Sequence, residues 1–224
     1  MAWIKTCSRK PPHRAVRCEP WSPCTFVQFW CVSLPEACKL NEDETFGRGT
    51  VTEEPTFDEL FRLAKKSAVH LEMRDGYMQS DPGYIAWRNR TRRTFRYLDQ
   101  ETRPWLALMR EITGRGVAVR RARIVSEPVT DYIRFEHHVT AGNVSAGEQV
   151  RWLPRRQASN LALPGNDFWL FDDSLVVFLH FTGDGELSPA GDEERTADTA
   201  VIRLCSTAFE SVWERAVPHS KFLI

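Results

Sequence analysis

The chain has 224 residues, with thirty Lys+Arg against thirty Asp+Glu for a formal net charge of zero; 42% of residues are apolar and 27% charged. That is ordinary globular composition, and it excludes a disordered or collagen-like chain, a small disulfide-stapled scaffold, and a protein that coats nucleic acid by bulk charge alone. No run reaches the roughly 18 apolar residues of a membrane helix, and at about 100–200 residues per domain one domain is the first expectation.

The first fifty residues differ from the rest. They hold Cys7, Cys18, Cys24, Cys31 and Cys38 together with three Trp and five Pro, and show no sustained periodicity. No Cys-x-x-Cys pair occurs, which argues against a zinc module. The apolar stretch 26–32 is short and interrupted by Gln28, which argues against a secretory signal. The favoured reading is translated leader sequence. Gly47-Arg48-Gly49 fits purine-rich codons resembling a ribosome-binding site, Thr50 supplies a spacer, and Val51 fits a GTG start. Residues 1–50 then lie outside the fold, and 51–224 form one domain. That domain has a single cysteine, Cys205, which fits a reducing cytoplasm.

Elements follow in order. Thr56-Phe57-Asp58-Glu59 is a capping box, and Phe57, Leu60, Phe61 and Ala64 follow helical spacing. Val69, Leu71 and Met73 alternate with His70, Glu72 and Arg74, as in a strand, and Asp75-Gly76 signals a turn. Asp81-Pro82 caps a helix that gathers Tyr84, Trp87, Thr91, Phe95 and Leu98 on one face, with Arg88, Arg92 and Arg96 in a row on another. Pro104 opens a helix with Trp105, Leu108, Met109 and Ile112 as its buried stripe, ended by Gly114 and Gly116. A strand over 117–125 puts Val119, Arg121, Arg123 and Val125 on one side. Pro128 starts a helix with Tyr132, Phe135, Glu136 and Val139 on one face. A strand follows over 148–153. Runs 168–171 and 175–181 are strands joined at Asp172-Asp173, apolar enough to be covered on both faces. A helix over about 200–216, burying Leu204, Ala208 and Val212, closes the chain. The sum is α+β (or α/β): a single domain with N-terminal helices on a central mixed sheet and a C-terminal helix.

From about residue 51 to 222 the chain resembles an uncharacterised actinobacterial protein family. The resemblance is carried by Phe57-Asp58-Glu59-Leu60-Phe61, His70-Leu71-Glu72-Met73-Arg74-Asp75, Trp87, Arg121-Ala122-Arg123-Ile124-Val125-Ser126-Glu127-Pro128, Gly147-Glu148-Gln149-Val150-Arg151-Trp152-Leu153 and Asn166-Asp167-Phe168-Trp169-Leu170-Phe171-Asp172-Asp173. The resemblance supplies no activity. Members of that family are often encoded beside helix-turn-helix regulators, which implies a role in gene regulation. The C-terminal order of elements also looks like a phospholipase-D-like half-domain. The catalytic motif of that superfamily, His-x-Lys-x-x-x-x-Asp, is begun by His219-Ser220-Lys221, but its Asp falls at position 226 and the chain stops at Ile224. The reading therefore expects no phosphodiesterase chemistry by that route.

Phosphate-binding glycine loops, the Gly-x-Ser-x-Gly elbow and the His-Glu-x-x-His helix are absent. The segment 88–123 holds eleven Arg against three acids, while 167–198 holds nine acids against one Arg. The row Arg88, Arg92, Arg96 reads as a solvated helix face, as a stripe of guanidinium groups that contacts phosphates, or as a partner-binding surface. Arg121 and Arg123 share one side of a strand, where unpaired burial is costly. Either that side is exposed, or the pair meets carboxylates or an anionic ligand. Glu127, Asp172, Asp173 and His180 complete the candidate ligand set. His137 and His138 read as surface histidines, and Cys205 as a small buried residue.

The expectation is a cytoplasmic, non-catalytic accessory protein acting with a helix-turn-helix transcriptional regulator, with a small anionic ligand in view and no cofactor. The rival is a hydrolase or phosphodiesterase that uses Arg121 and Arg123 to hold an anion near Asp172, Asp173 or His180. Direct nucleic-acid binding ranks last, since no recognition-helix motif is visible.

Overall fold

A computed structural model describes residues 54–89 and 103–224. The leader reading of residues 1–50, Val51, and Thr91, Arg92, Phe95, Arg96 and Leu98, expected on the helix that Asp81-Pro82 opens, lie outside the described residues; the described part of that helix ends at Arg88, with Asn89 as its C-cap.

Helix α1 (Phe57–Leu63) opens on the expected capping box, Thr56 N–H donating to Glu59 Oε2 at 2.7 Å and Glu59 N–H to Thr56 Oγ1 at 3.4 Å. Strand β1 (Ser67–Glu72) follows, then α2 (Pro82–Arg88), whose N-terminus is held by Tyr84 N–H donating to Asp81 at 2.7 Å. Helix α3 (Pro104–Gly114) buries Trp105, Leu106, Leu108, Met109 and Ile112, the spacing of one helical face. Strand β2 (Ala118–Val125), helix α4 (Asp131–Ser145) and strand β3 (Gln149–Pro154) form a parallel strand–helix–strand unit. Strands β4 (Asp167–Phe171) and β5 (Leu175–Leu179) form a hairpin, and β6 (Glu193–Thr196) pairs with β5. Helix α5 (Thr199–Arg215) and the short strand β7 (Val217–Pro218) complete the chain.

The seven strands form one mixed sheet in the order β6-β5-β4-β1-β2-β3-β7, with β1 at its centre. Strands β1, β2 and β3 run parallel, and the other pairings are antiparallel. Helices α1 to α4 cover one face. Their apolar contacts with the sheet form two clusters, one around Phe61, Trp105 and Trp169, the other around Phe135, Val150 and Trp152. Helix α5 covers the opposite face, packing Phe209 and Val212 against Leu71, Ile124 and Leu170. The expected fold is observed: one α+β domain with helices on a central mixed sheet and a C-terminal helix.

Several boundaries shift for identifiable reasons. Helix α4 begins at Asp131 rather than Pro128, because the segment before it is used otherwise. Ser126 N–H and Oγ each donate to Asp75 at 2.6 Å, and Thr130 Oγ1 donates to Asp75 O while accepting from Ile133 N–H as the cap. Strand β5 stops at Leu179, so His180 lies just beyond it. On α5 the buried stripe is Cys205, Ala208, Phe209, Val212 and Trp213, and Leu204, expected inside, is 42% exposed. The turn at Asp172-Asp173 holds, both residues taking the left-handed conformation at φ 51° and 52°. The hairpin it joins is central and covered, β4 being buried throughout.

Candidate functional site

Between the two helix-side clusters the sheet presents charge instead of hydrocarbon. Parallel pairing of β1 with β2 sets His70 opposite Arg121 and Glu72 opposite Arg123, so four polar side chains share one face. All four are at least nine-tenths buried. Glu72 joins the two arginines. Its Oε1 lies 2.5 Å from Arg121 Nη1, and its Oε2 lies 2.7 Å from Arg123 Nε. Each arginine has a second carboxylate supplied from α4 or just after it. Arg121 Nε meets Glu148 at 2.5 Å, and Arg123 Nη1 meets Glu136 at 2.6 Å. Asn143 donates to the other oxygen of Glu148 at 2.8 Å, and Tyr132 O–H to the other oxygen of Glu136 at 3.0 Å. Arg121 lies over both Trp105 and Trp169, at 5.7 and 5.5 Å, and Arg123 over Trp152 at 5.0 Å.

His70 lies flat on Trp169, centroids 4.3 Å apart. Its Nδ1 is 2.7 Å from the Phe168 carbonyl oxygen and its Nε2 is 3.2 Å from Glu72 Oε1. Both partners are acceptors, so both hydrogen bonds form together only when the ring carries two N–H donors. Asp167, at the start of β4, is 2% exposed. It accepts from Met73 N–H at 2.9 Å and from Tyr77 O–H. Among the described residues it has no ion pair.

The environment of each group follows from these contacts. Burial works to raise the Glu72 carboxyl, but Arg123, then Arg121 and His70, outweigh it and hold it well below the usual range. Asp167 has no such guanidinium partner, and burial pushes it up to about 6. Burial, reinforced by Asp167, raises the Tyr77 phenol well above its ordinary value; burial and Glu136 do the same to Tyr132.

These groups line a pocket that opens to solvent at its mouth. Tyr77, Trp105, Tyr132 and Phe181 supply aromatic walls; Met78, Leu179 and Leu187 supply apolar ones. No group of three or more His, Cys, Asp or Glu among the described residues is arranged to hold a metal ion.

The candidates named from sequence divide. Arg121 and Arg123 lie at the pocket. Their carboxylate partners are not those expected. Glu127 is on the surface, 3.5 Å from Arg156. Asp172 accepts backbone N–H groups of Lys65, Lys66 and Ser67 at 2.8, 2.7 and 2.9 Å, closing the α1–β1 loop. Asp173 takes a hydrogen bond from Ser206 Oγ, and His180 pairs with Glu194 at 3.1 Å. None of these four lines the cavity. Arg88 is exposed on α2 and rests over Tyr84. His137 is half-buried rather than superficial, its Nε2 3.0 Å from the Phe222 carbonyl oxygen and its ring 4.5 Å from that of His219. His219, in the partial His-x-Lys motif, accepts from Trp152 Nε1 and does not reach the cavity.

Sequence reasoning missed His70, Glu72, Glu136, Glu148 and Asp167. One signal was present: Glu136 interrupts the apolar stripe Tyr132, Phe135, Val139, and a carboxylate inside such a stripe calls for a buried cation.

The fold and pocket define an α+β domain with a charged, aromatic-walled cavity on the helix-rich face of its sheet. The chain belongs to the family described as Domain of unknown function (DUF6879), whose model matches residues 55–224. No curated protein matches it. Among solved structures it is similar to Nuc, a phospholipase D family member from Salmonella typhimurium, at 11% identity and TM-score 0.40, over 72% of this chain and 86% of that one. It is also similar to TrmBL2, an archaeal chromatin protein, at 13% identity and TM-score 0.37, over 71% of this chain and 48% of that one, so it spans about half of that protein's length. At this distance the likenesses assign no residue a role.

Proposed function

We propose that this is a non-catalytic regulatory module that binds a small molecule in the cavity over β1 and β2 and acts beside a helix-turn-helix regulator. The carrying observation is the cavity itself: buried Glu72, Arg121, Arg123 and Asp167 converge on a space walled by aromatic rings, the usual makeup of a small-ligand site. Its chemistry favours holding over reacting. The two arginines are clamped by carboxylates, the phenols are held protonated, and no Ser, Thr, Cys or Lys is among the lining side chains of the described residues. The rival enzyme needed Arg121 and Arg123 beside Asp172, Asp173 or His180, and those groups lie apart from the pocket.

The regulatory part of the reading rests on the resemblance to a family encoded beside such regulators, which also supports an actinobacterial origin; the single cysteine of residues 51–224 supports a cytoplasmic site of action. No helix among the described residues is long and apolar enough to cross a membrane. Arg88, with Arg92 and Arg96, is the proposed surface for the regulator. The test is co-purification with the regulator encoded beside the gene. A stable complex weakened tenfold by Arg88→Glu supports the reading. A folded protein that never associates with that regulator overturns its regulatory part.

A further inference from the structure

The cavity does not balance its own charge. Glu72, Glu136 and Glu148 are met by the guanidinium groups of Arg121 and Arg123, and His70 Nε2 lies 3.2 Å from Glu72 Oε1. Asp167 is the carboxylate left over, buried at 2% exposure and held by one backbone N–H and one phenol. A buried carboxylate without a cation is costly, and a ligand that brings the cation removes that cost. The walls nearby suit the same ligand. Tyr77 and Phe181 meet edge to face at 5.1 Å, and with Tyr132, Leu179 and Leu187 they give the cavity apolar walls for the body of a ligand; Phe181 and Trp105 already carry the guanidinium groups of Arg74 and Arg121 at 5.1 and 5.7 Å. Trp105 is 4% exposed, and its indole N–H has no acceptor among the described residues. An anion finds less here, because the guanidinium groups that attract it already face carboxylates.

We propose that the cavity takes a small organic cation, an ammonium group on an apolar body, with Asp167 as its counter-ion and an acceptor atom of the ligand on the Trp105 indole N–H. The proposal rests on the reading of this cavity as a ligand site. It reverses the sign of the ligand charge expected from Arg121 and Arg123 alone.

The experiment uses the full chain labelled with ¹⁵N and three probes of similar size that share an ether oxygen as acceptor: 2-phenoxyethylamine, 2-phenoxyethanol and phenoxyacetate. The readout is the Trp105 indole cross-peak, assigned by Trp105→Phe. The expected result is that the amine shifts this peak with an affinity at least tenfold above the alcohol and the acid, and that Asp167→Asn removes the advantage. Tighter binding of the acid overturns the cation assignment while leaving the cavity a ligand site. Equal binding of amine and alcohol does the same. Absence of any shift with all three probes overturns both the assignment and the ligand-site reading. The comparison of probes on the unmodified protein stands whether or not the Asp167→Asn variant folds.

Discussion

At the scale of single residues, Glu72 carries the most. One carboxylate neutralises Arg121 and Arg123 and accepts from His70, all in a buried layer. Removing it strands those cations among hydrocarbon. We predict that Glu72→Ala lowers unfolding free energy by about 3–5 kcal/mol, read by urea denaturation. Asp167 makes the opposite kind of prediction. Its carboxyl titrates at about 6 in the fold against about 3.9 in an unfolded chain. Between those values the folded state keeps a proton that the unfolded state has lost. Stability therefore falls as pH rises through this window, by about 3 kcal/mol in all, and the loss persists above pH 6. We predict that Asp167→Asn abolishes this slope and is more stable than the parent above pH 6. Urea unfolding at pH 4 to 7 checks it, and an unchanged slope refutes it.

At the scale of elements, the β-α-β unit depends on a tight junction. Gly147 follows α4 at φ +93°, and a Cβ there would sit 2.5 Å from Thr113 Oγ1 on α3. Thr113 Oγ1 lies 2.7 Å from the Met109 carbonyl oxygen and 3.0 Å from that of Ala146, so it cannot retreat freely. Gly147→Ala should cost roughly 2 kcal/mol, seen as a lowered midpoint in thermal unfolding. This junction also places Glu148 under Arg121, so the same variant should loosen the pocket. Element identity was largely legible in the sequence, because caps and apolar stripes are local signals. Thr56–Glu59, Asp81-Pro82 and the stripe of α3 behaved as such signals do. The start of α4 was not legible, since Ser126 and Thr130 answer to Asp75, some fifty residues earlier in the chain.

At the scale of the whole molecule, the same division explains the site. Arg121 and Arg123 stood out because two like charges sit at alternating positions of one strand. Their partners did not, because pairing depends on strand order. His70 and Glu72 face them only because β1 lies beside β2, and Asp167 joins them only because β4 returns to the other edge of β1. Asp172 and Asp173, within the acidic stretch 167–198, are expected beside the arginines, yet Asp172 accepts from backbone N–H groups after α1 and Asp173 from Ser206 Oγ. Charge density along a chain identified a region, and topology selected the one member, Asp167, that faces inward.

The central position of β1 has a further consequence for how the chain is made. Its two neighbours are β2, whose register begins at Ala118, and β4, which reaches it only with residues 168–171. A growing polypeptide therefore presents one open edge of its middle strand to the surroundings until some hundred residues more have left the ribosome. Until then His70, Glu72 and the arginines form half of a charged layer without its closing hairpin. Nascent chains of this protein are thus most exposed to wrong pairing between the emergence of β1 and that of β4, a window in which an assisting chaperone has most to protect.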